Sequence, residues 1–261
     1  VAAVALLVWN AGARQLAAQP FTARQLVDHL YSPNGQLPIQ TLIVELDGSA
    51  VVSPDHSGQG GGSNLVPASH DKIFFKKPNL LHVESIIVDP NSPLNGKQLT
   101  IIRDGTNRWM FMSEGEYPVK KGTDEPSPTA WLPFHIQLYP QDLNKQYTLL
   151  GADPAFGPAA RVVRITDPTA PKKISTVWID TVRWVPLCWE FTKVATHVGD
   201  KDAKYRIVYH SFKQLPDGRW FPFSLERYEN GALAEAGVYK AVAVNEELPS
   251  NLFEPMGHFV H

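Results

Sequence analysis

A chain of 261 residues, 43% apolar and 19% charged, can bury a sizeable core in one large β-domain. Its formal net charge of −2 leaves no basic footprint for nucleic acid and no acidic tail. The single cysteine, Cys188, excludes an intramolecular disulfide and any multi-cysteine metal site, and its strand-like surroundings read as those of a small buried hydrophobe.

Val1 to Trp9 is an apolar run too short to span a bilayer, and Ala11-Gly12-Ala13 fits a small-x-small cleavage pattern. With no basic residues ahead of it and no initiator Met, residues 1–18 read as the remnant of a secretory signal peptide, with a buried structural segment or an uncleaved anchor as the alternatives. Cleavage is expected near residue 13 or 18. The expected product is exported and does without disulfides. Phe21 to Tyr31 follows with Phe21, Leu26, Val27, Leu30 and Tyr31 at helical spacing, and Thr22 is placed to cap its start.

Leu37 to Val52 alternates as a strand, with Leu42, Val44 and Leu46 on one face. The glycine-rich stretch up to Asn64 is a loop. Lys72 to Val88 is strand on both sides of Pro78, which cannot donate to a ladder. Lys97 to Met112 is a hairpin around Asp104-Gly105-Thr106-Asn107, and Glu114 to Pro128 is a polar loop. Thr129 to Leu143 reads as a short apolar helix with Pro133 in its first turn, or as an irregular lid, and Tyr147 to Phe156 as a connector. The second half is strand after strand. Arg161–Thr166, Ile174–Ile179 and Trp184–Lys193 lead to a meander from Ala203 to Val244. There Pro216-Asp217-Gly218 and Asn230-Gly231 reverse the chain, and Phe221, Phe223 and Leu225 share a greasy face. The total is about eleven strands and two helices in a mainly β (α+β) chain, one domain over 19–256 with a short tail at 257–261.

Signatures of catalysis are sparse. The glycine patch Gly58–Gly62 does not complete a dinucleotide fingerprint, and Asn95-Gly96-Lys97-Gln98 lacks the hydroxyl and upstream glycine of a phosphate loop. None of the nine histidines forms H-E-x-x-H, there is no G-x-S-x-G, and no carboxylates are spaced as an acid/base pair. No catalytic residue, metal or cofactor is expected. Seven tryptophans make the aromatic residues the remaining signal, as packing or as the lining of an apolar ligand site.

In this order the phrases resemble the LolA/LolB-like superfamily of periplasmic lipoprotein carriers and outer-membrane lipoprotein-sorting proteins. Phe75-Lys76-Lys77-Pro78-Asn79-Leu80-Leu81-His82-Val83-Glu84 is similar to its aromatic-basic-x-Pro run, and Asp104-Gly105 with Trp109 to its hairpin. Val177-Trp178-Ile179-Asp180 followed by Val185-Pro186-Leu187 and Glu190, then Asp217-Gly218 with Trp220-Phe221-Pro222, and finally Asn251-Leu252-Phe253 with Pro255, resemble its later turns.

The resemblance implies an unclosed half-barrel, a curved antiparallel sheet with helices as a lid over an apolar cavity that takes acyl chains. It implies no catalytic residues. The candidate lining is Leu42, Val44, Leu46, Trp109, Phe111, Trp178, Phe221, Phe223 and Leu225. The candidate lid residues are Trp131, Phe134, Ile136 and Leu138, and Lys76, Lys77 or Arg103 are candidates for the basic residue that closes the lid. The implied function is a soluble, monomeric, periplasmic carrier of a lipid or lipoprotein acyl chain, sorting lipoproteins to the outer membrane through inner- and outer-membrane sorting proteins. Nucleic acid is not an expected partner. The alternatives are an envelope sensor or scaffold of the same fold with a filled core, and an envelope hydrolase.

Overall fold

Thr22 starts the helix as the spacing predicts. Its Oγ1 accepts from the Gln25 backbone N–H at 3.2 Å while the Gln25 side chain accepts from the Thr22 N–H at 2.9 Å, a reciprocal cap. The helix, α1 (Ala23–Tyr31), buries Ala23, Leu26, Val27 and Leu30 along one face. Complete burial of each of the larger three contributes about 1.5–3 kcal/mol. In the computed structural model the described residues are 21–51, 65–105, 107–112, 122–123, 132–133, 145–195 and 201–254. Residues 1–18, expected to be a signal remnant, and Trp131, Phe134, Ile136 and Leu138, expected in a lid, lie outside them.

Among the described residues thirteen strands make one sheet. They are β1 (Thr41–Val51), β2 (Leu65–Lys76), β3 (Leu80–Ile87), β4 (Gln98–Asp104), β5 (Asn107–Met112), β6 (Gly122–Thr123), β7 (Gln146–Ala152), β8 (Ala160–Thr166), β9 (Ile174–Asp180), β10 (Val185–Lys193), β11 (Ala203–Gln214), β12 (Trp220–Glu229) and β13 (Ala232–Val244). Their order is β6-β5-β4-β3-β2-β1-β13-β12-β11-β10-β9-β8-β7, and β6 and β7 do not pair, so the sheet is unclosed. The chain fans out from β1 to one edge, crosses to the other, and returns to set β13 beside β1, Leu42 opposite Val244.

The turns follow their residues. Asn230 (φ 50°) and Gly231 (φ 88°) are both left-handed, as a two-residue hairpin requires. At Gly105 (φ 94°) the left-handed backbone favours glycine, and a Cβ would come 2.7 Å from Asn79 Oδ1, so that side chain would have to shift. Two expectations need correction. The connector Tyr147–Phe156 is mostly the edge strand β7, in which a register shift between Leu149 and Gly151 hides the alternation. Strand β2 begins at Leu65, seven residues ahead of Lys72, and carries Pro67 beside the register shift at Gly48/Ser49.

The sheet curls around α1. Arg24 lies over the Tyr147 ring of β7, 4.9 Å from its centroid. Lys77, one residue past β2, sits 3.8 Å over the Tyr31 ring. Strands β2 and β7 are eight steps apart in the sheet, about 38 Å if it were flat at ~4.8 Å a step. Residues 24 and 31 are about 10 Å apart along the helix axis. The short helix can reach both only if the sheet bends around it. The core sits on that inner face, where α1 packs with Leu42, Val44, Leu46, Ile73, Phe75, Val163, Ile165, Val177, Ile179, Ile207, Phe221 and Leu225.

Candidate functional site

The inner face is set strand by strand by the register. Leu42, Val44 and Leu46 lie opposite Phe75, Ile73 and Asp71 of β2. Ile73 and Phe75 lie opposite Val83 and Leu81 of β3, and these oppose Ile101 and Arg103 of β4. Leu225 faces Tyr209, and Ile207 faces Trp189, which faces Val177. Leu42, Val44, Leu46, Phe221 and Leu225 are buried there, and Phe223 is half-buried against the same cluster.

The register corrects the face of the other three expected lining residues. Trp109 opposes Ile102 and Phe111 opposes Thr100, on the face that also carries His82, away from α1. Trp178 is likewise on the outer face. Its indole N–H donates to Asp153 Oδ2 at 2.8 Å, and its ring lies near Phe156. One strand residue separates the faces, so counting aromatics could not assign them.

The inner face is uneven. Near α1 it is tightly filled, and Leu132, within the segment expected to form a lid, is 1% exposed in the same cluster. Away from the helix, apolar side chains on the same face stay partly exposed. They include Val83, Phe191, Phe223 and Val242, with Ile101 and Met110 on the β4–β5 arm. Phe191 stacks on Tyr205 with centroids 5.3 Å apart and touches Trp189 at 4.5 Å.

Charge enters this face at several places among the described residues, including Lys213, whose amine lies 4.5 Å from the Phe223 ring centroid. At the end far from α1, Arg227 of β12 donates through both Nε and Nη2 to the Glu235 carboxylate of β13, lies 3.7 Å from Glu229, and covers the Tyr205 ring at 5.2 Å. Burial works against the Arg227 charge, but the Glu235 carboxylate outweighs it and holds the guanidinium pKa above its ordinary value. Asp71 of β2 is buried on the same face and accepts from Ser69 Oγ at 2.7 Å. Burial raises its pKa, hydrogen bonds from Ser85 and Ser69 oppose the rise, and Glu235 adds to it. At the α1 end, Arg103 and Arg108 stand directly opposite each other on β4 and β5. Nearby, burial depresses the Lys77 amine to about 7. Of the basic lid candidates, Arg103 and Lys77 are at this end, while Lys76 alternates to the outer face opposite Thr41.

Elsewhere the chemistry is structural. His82, deep in the outer face, donates from Nδ1 to the Leu252 carbonyl at 2.7 Å and ties β3 to the turn Ser250–Phe253. Burial pushes the Cys188 thiol up to about 12, which keeps it protonated. Among the described residues no three His, Cys, Asp or Glu gather as a metal site, and no helix is long and apolar enough to cross a membrane.

No protein-family model and no curated protein sequence matches the chain. Solved structures do. A LolA superfamily protein from Nitrosomonas europaea superposes with a TM-score of 0.59 at 16% identity, over 90% of this chain and 99% of that one. An outer membrane lipoprotein-sorting protein domain from Vibrio parahaemolyticus gives 0.54 at 12% identity, over 82% and 89%. A DUF1329 family protein from Desulfovibrio piger gives 0.60 at 12% identity, over 89% and 95%. The unclosed antiparallel sheet curled around one short helix is therefore a LolA-like fold.

Proposed function

We propose that this protein is a non-enzymatic carrier that shields a lipid or lipoprotein acyl chain in the hollow of its curled sheet, and that it takes part in sorting lipoproteins across the periplasm to the outer membrane. The observation that carries this reading is the set of partly exposed apolar side chains, Val83, Ile101 and Met110 on one arm of the sheet and Phe191 and Phe223 on the other, on a face otherwise packed as a core. A hydrocarbon guest laid there would leave water and gain about 0.8 kcal/mol per buried CH₂. The LolA-like fold, found in proteins described by lipoprotein sorting, supports the same reading. Inner- and outer-membrane sorting proteins would deliver and accept the cargo, and the carrier would act as a monomer.

The test is solvent extraction and mass spectrometry of protein purified after export, together with native mass spectrometry of the intact complex. A stoichiometric acylated species that leaves on delipidation is the expected result. Protein that carries no lipid and does not take up a diacylated lipopeptide overturns the reading.

A further inference from the structure

Two apolar side chains stand out from the rest of the described surface. Leu37 is 78% exposed and Val182 75%, whereas the next large apolar residue, Val238, is 48% exposed. Both project from the same end of the sheet. Val182 lies in the turn between β9 and β10, and Leu37 lies just ahead of β1. The Leu37 carbonyl accepts from Arg219 Nη2 at 3.2 Å, which ties it to the β11–β12 turn beside the exposed Trp220. The β9–β10 and β11–β12 turns are two strand steps apart, about 10 Å. Phe21, also exposed, joins this rim against Trp184, 5.5 Å between ring centroids. The β9–β10 turn is braced so that Val182 stays in water. Asp180 Oδ1 accepts from the backbone N–H groups of Val182 at 2.8 Å and Arg183 at 3.0 Å, and its Oδ2 accepts from Arg183 Nε at 2.7 Å. The Trp184 N–H donates to the Asp180 carbonyl at 2.8 Å, and Trp184 itself is left-handed (φ 55°), a conformation costly for a large aromatic residue.

The charges beside these tips pair with one another, Arg183 with Asp180 and Arg219 with Asp217. Lys213 on one side and Glu246 and Glu247 on the other leave the rim close to neutral. A stable protein interface needs a contiguous face of about 800 Å² per partner, whereas these tips stand on separate turns. A lipid surface asks for no matching shape. Each apolar tip enters it independently, and a tryptophan rests where water meets hydrocarbon. We propose that this rim docks on a lipid bilayer, with Leu37 and Val182 inserted and Trp220 at the interface. The inference goes beyond the carrier reading and does not depend on it.

The experiment is cosedimentation of the full chain with vesicles of pure phosphatidylcholine and of an equal mixture with phosphatidylglycerol, at low salt and at about 0.5 M NaCl. The wild type is expected to bind both vesicles at both salt concentrations. Val182→Asp and Leu37→Asp are each expected to weaken binding about tenfold, the loss of one inserted aliphatic side chain. Val182→Leu keeps the apolar tip and should keep the binding. Ile86→Asp, an equally drastic change at an exposed apolar residue near the opposite end of the sheet, should leave it unchanged. Unchanged thermal melting shows that the variants are folded. A wild type that stays in the supernatant overturns the docking, as do rim variants that bind like the wild type or an Ile86→Asp that binds as poorly as they do. Binding confined to phosphatidylglycerol and lost at high salt overturns the apolar contact in favour of a charged one. A self-association in the absence of vesicles that Val182→Asp abolishes assigns the rim to a second copy and overturns the bilayer. Uptake of an acyl chain is read separately, so the carrier reading stands or falls without this result.

Discussion

Asp71 is the side chain whose surroundings disagree most with its chemistry. It stands on an apolar face, 7% exposed, and burial raises its pKa despite hydrogen bonds from Ser85 and Ser69. A carboxyl whose folded pKa lies above its unfolded value binds protons more tightly when folded, so its contribution favours the native state at low pH. That contribution is lost as pH rises from the unfolded value of 3.8 through the raised folded one. Asp71→Asn removes the titration, so the variant should lose less stability than the wild type between pH 4 and pH 7 in urea denaturation. Parallel pH profiles would show that the Asp71 carboxyl is not strained. Lys77 runs the other way. Its amine is held at about 7 against 10.5, so the folded state disfavours its charge, and stability is regained as pH rises from about 7 toward 10.5. Lys77→Met should therefore raise the melting temperature at pH 6 and lose that advantage by pH 10, and a gain that does not fade with pH would refute the assignment.

Helix α1 holds the curl together. It touches β7 through Arg24 and Tyr147, the β9–β10 turn through His29 and Trp184 (4.8 Å between rings), and the end of β2 through Tyr31 and Lys77. Its cap satisfies backbone donors at the start, so Thr22→Ala should cost about 1 kcal/mol. Leu30, 0% exposed, is buried in the core cluster, and Leu30→Ala should cost about 2–5 kcal/mol. Chemical denaturation that ranks the two equally would mean that α1 only lies on the sheet. This helix was legible in the sequence because its signals are local: Thr22 at the start, then Leu26, Val27 and Leu30 at helical spacing. The hairpin at Asn230-Gly231 was legible for the same reason. Strand β7 was not, because an edge strand buries one side only, and its shift at Leu149/Gly151 leaves Leu149 and Leu150 both exposed. Edge strands are specified by the neighbour they pair with, and β8 lies beyond a turn at Pro154–Phe156.

At the scale of the molecule, pairing β1 with β13 joins segments from the two ends of the described chain, and that seam sits mid-sheet with Leu46 against Tyr239. The fold class was readable because alternation and turns recur all along the chain. The site was only half readable. The inward side of Leu42, Val44 and Leu46 comes from one unbroken stretch of alternation, whereas the side taken by Trp109, Phe111, Trp178, Arg103 and Arg108 depends on registers passed from strand to strand across the sheet. What the assembled face adds is a contrast between filled and unfilled regions, and that contrast can be measured. Leu225 is 1% exposed and packed in the cluster, so Leu225→Ala should cost about 2–5 kcal/mol with or without a guest. Phe223 and Phe191 lie on the same face but keep part of their rings in water. Phe191→Ala and Phe223→Ala should cost the empty protein clearly less than Leu225→Ala. Because these rings would form the guest's contact surface, the same changes should weaken stabilisation by a bound acyl compound, which follows affinity by mass action. Urea titrations of the three variants with and without a diacylated lipopeptide decide the matter. If Phe191→Ala and Phe223→Ala destabilise the empty protein as much as Leu225→Ala and leave the lipopeptide shift unchanged, the hollow is already filled by its own side chains and holds no guest.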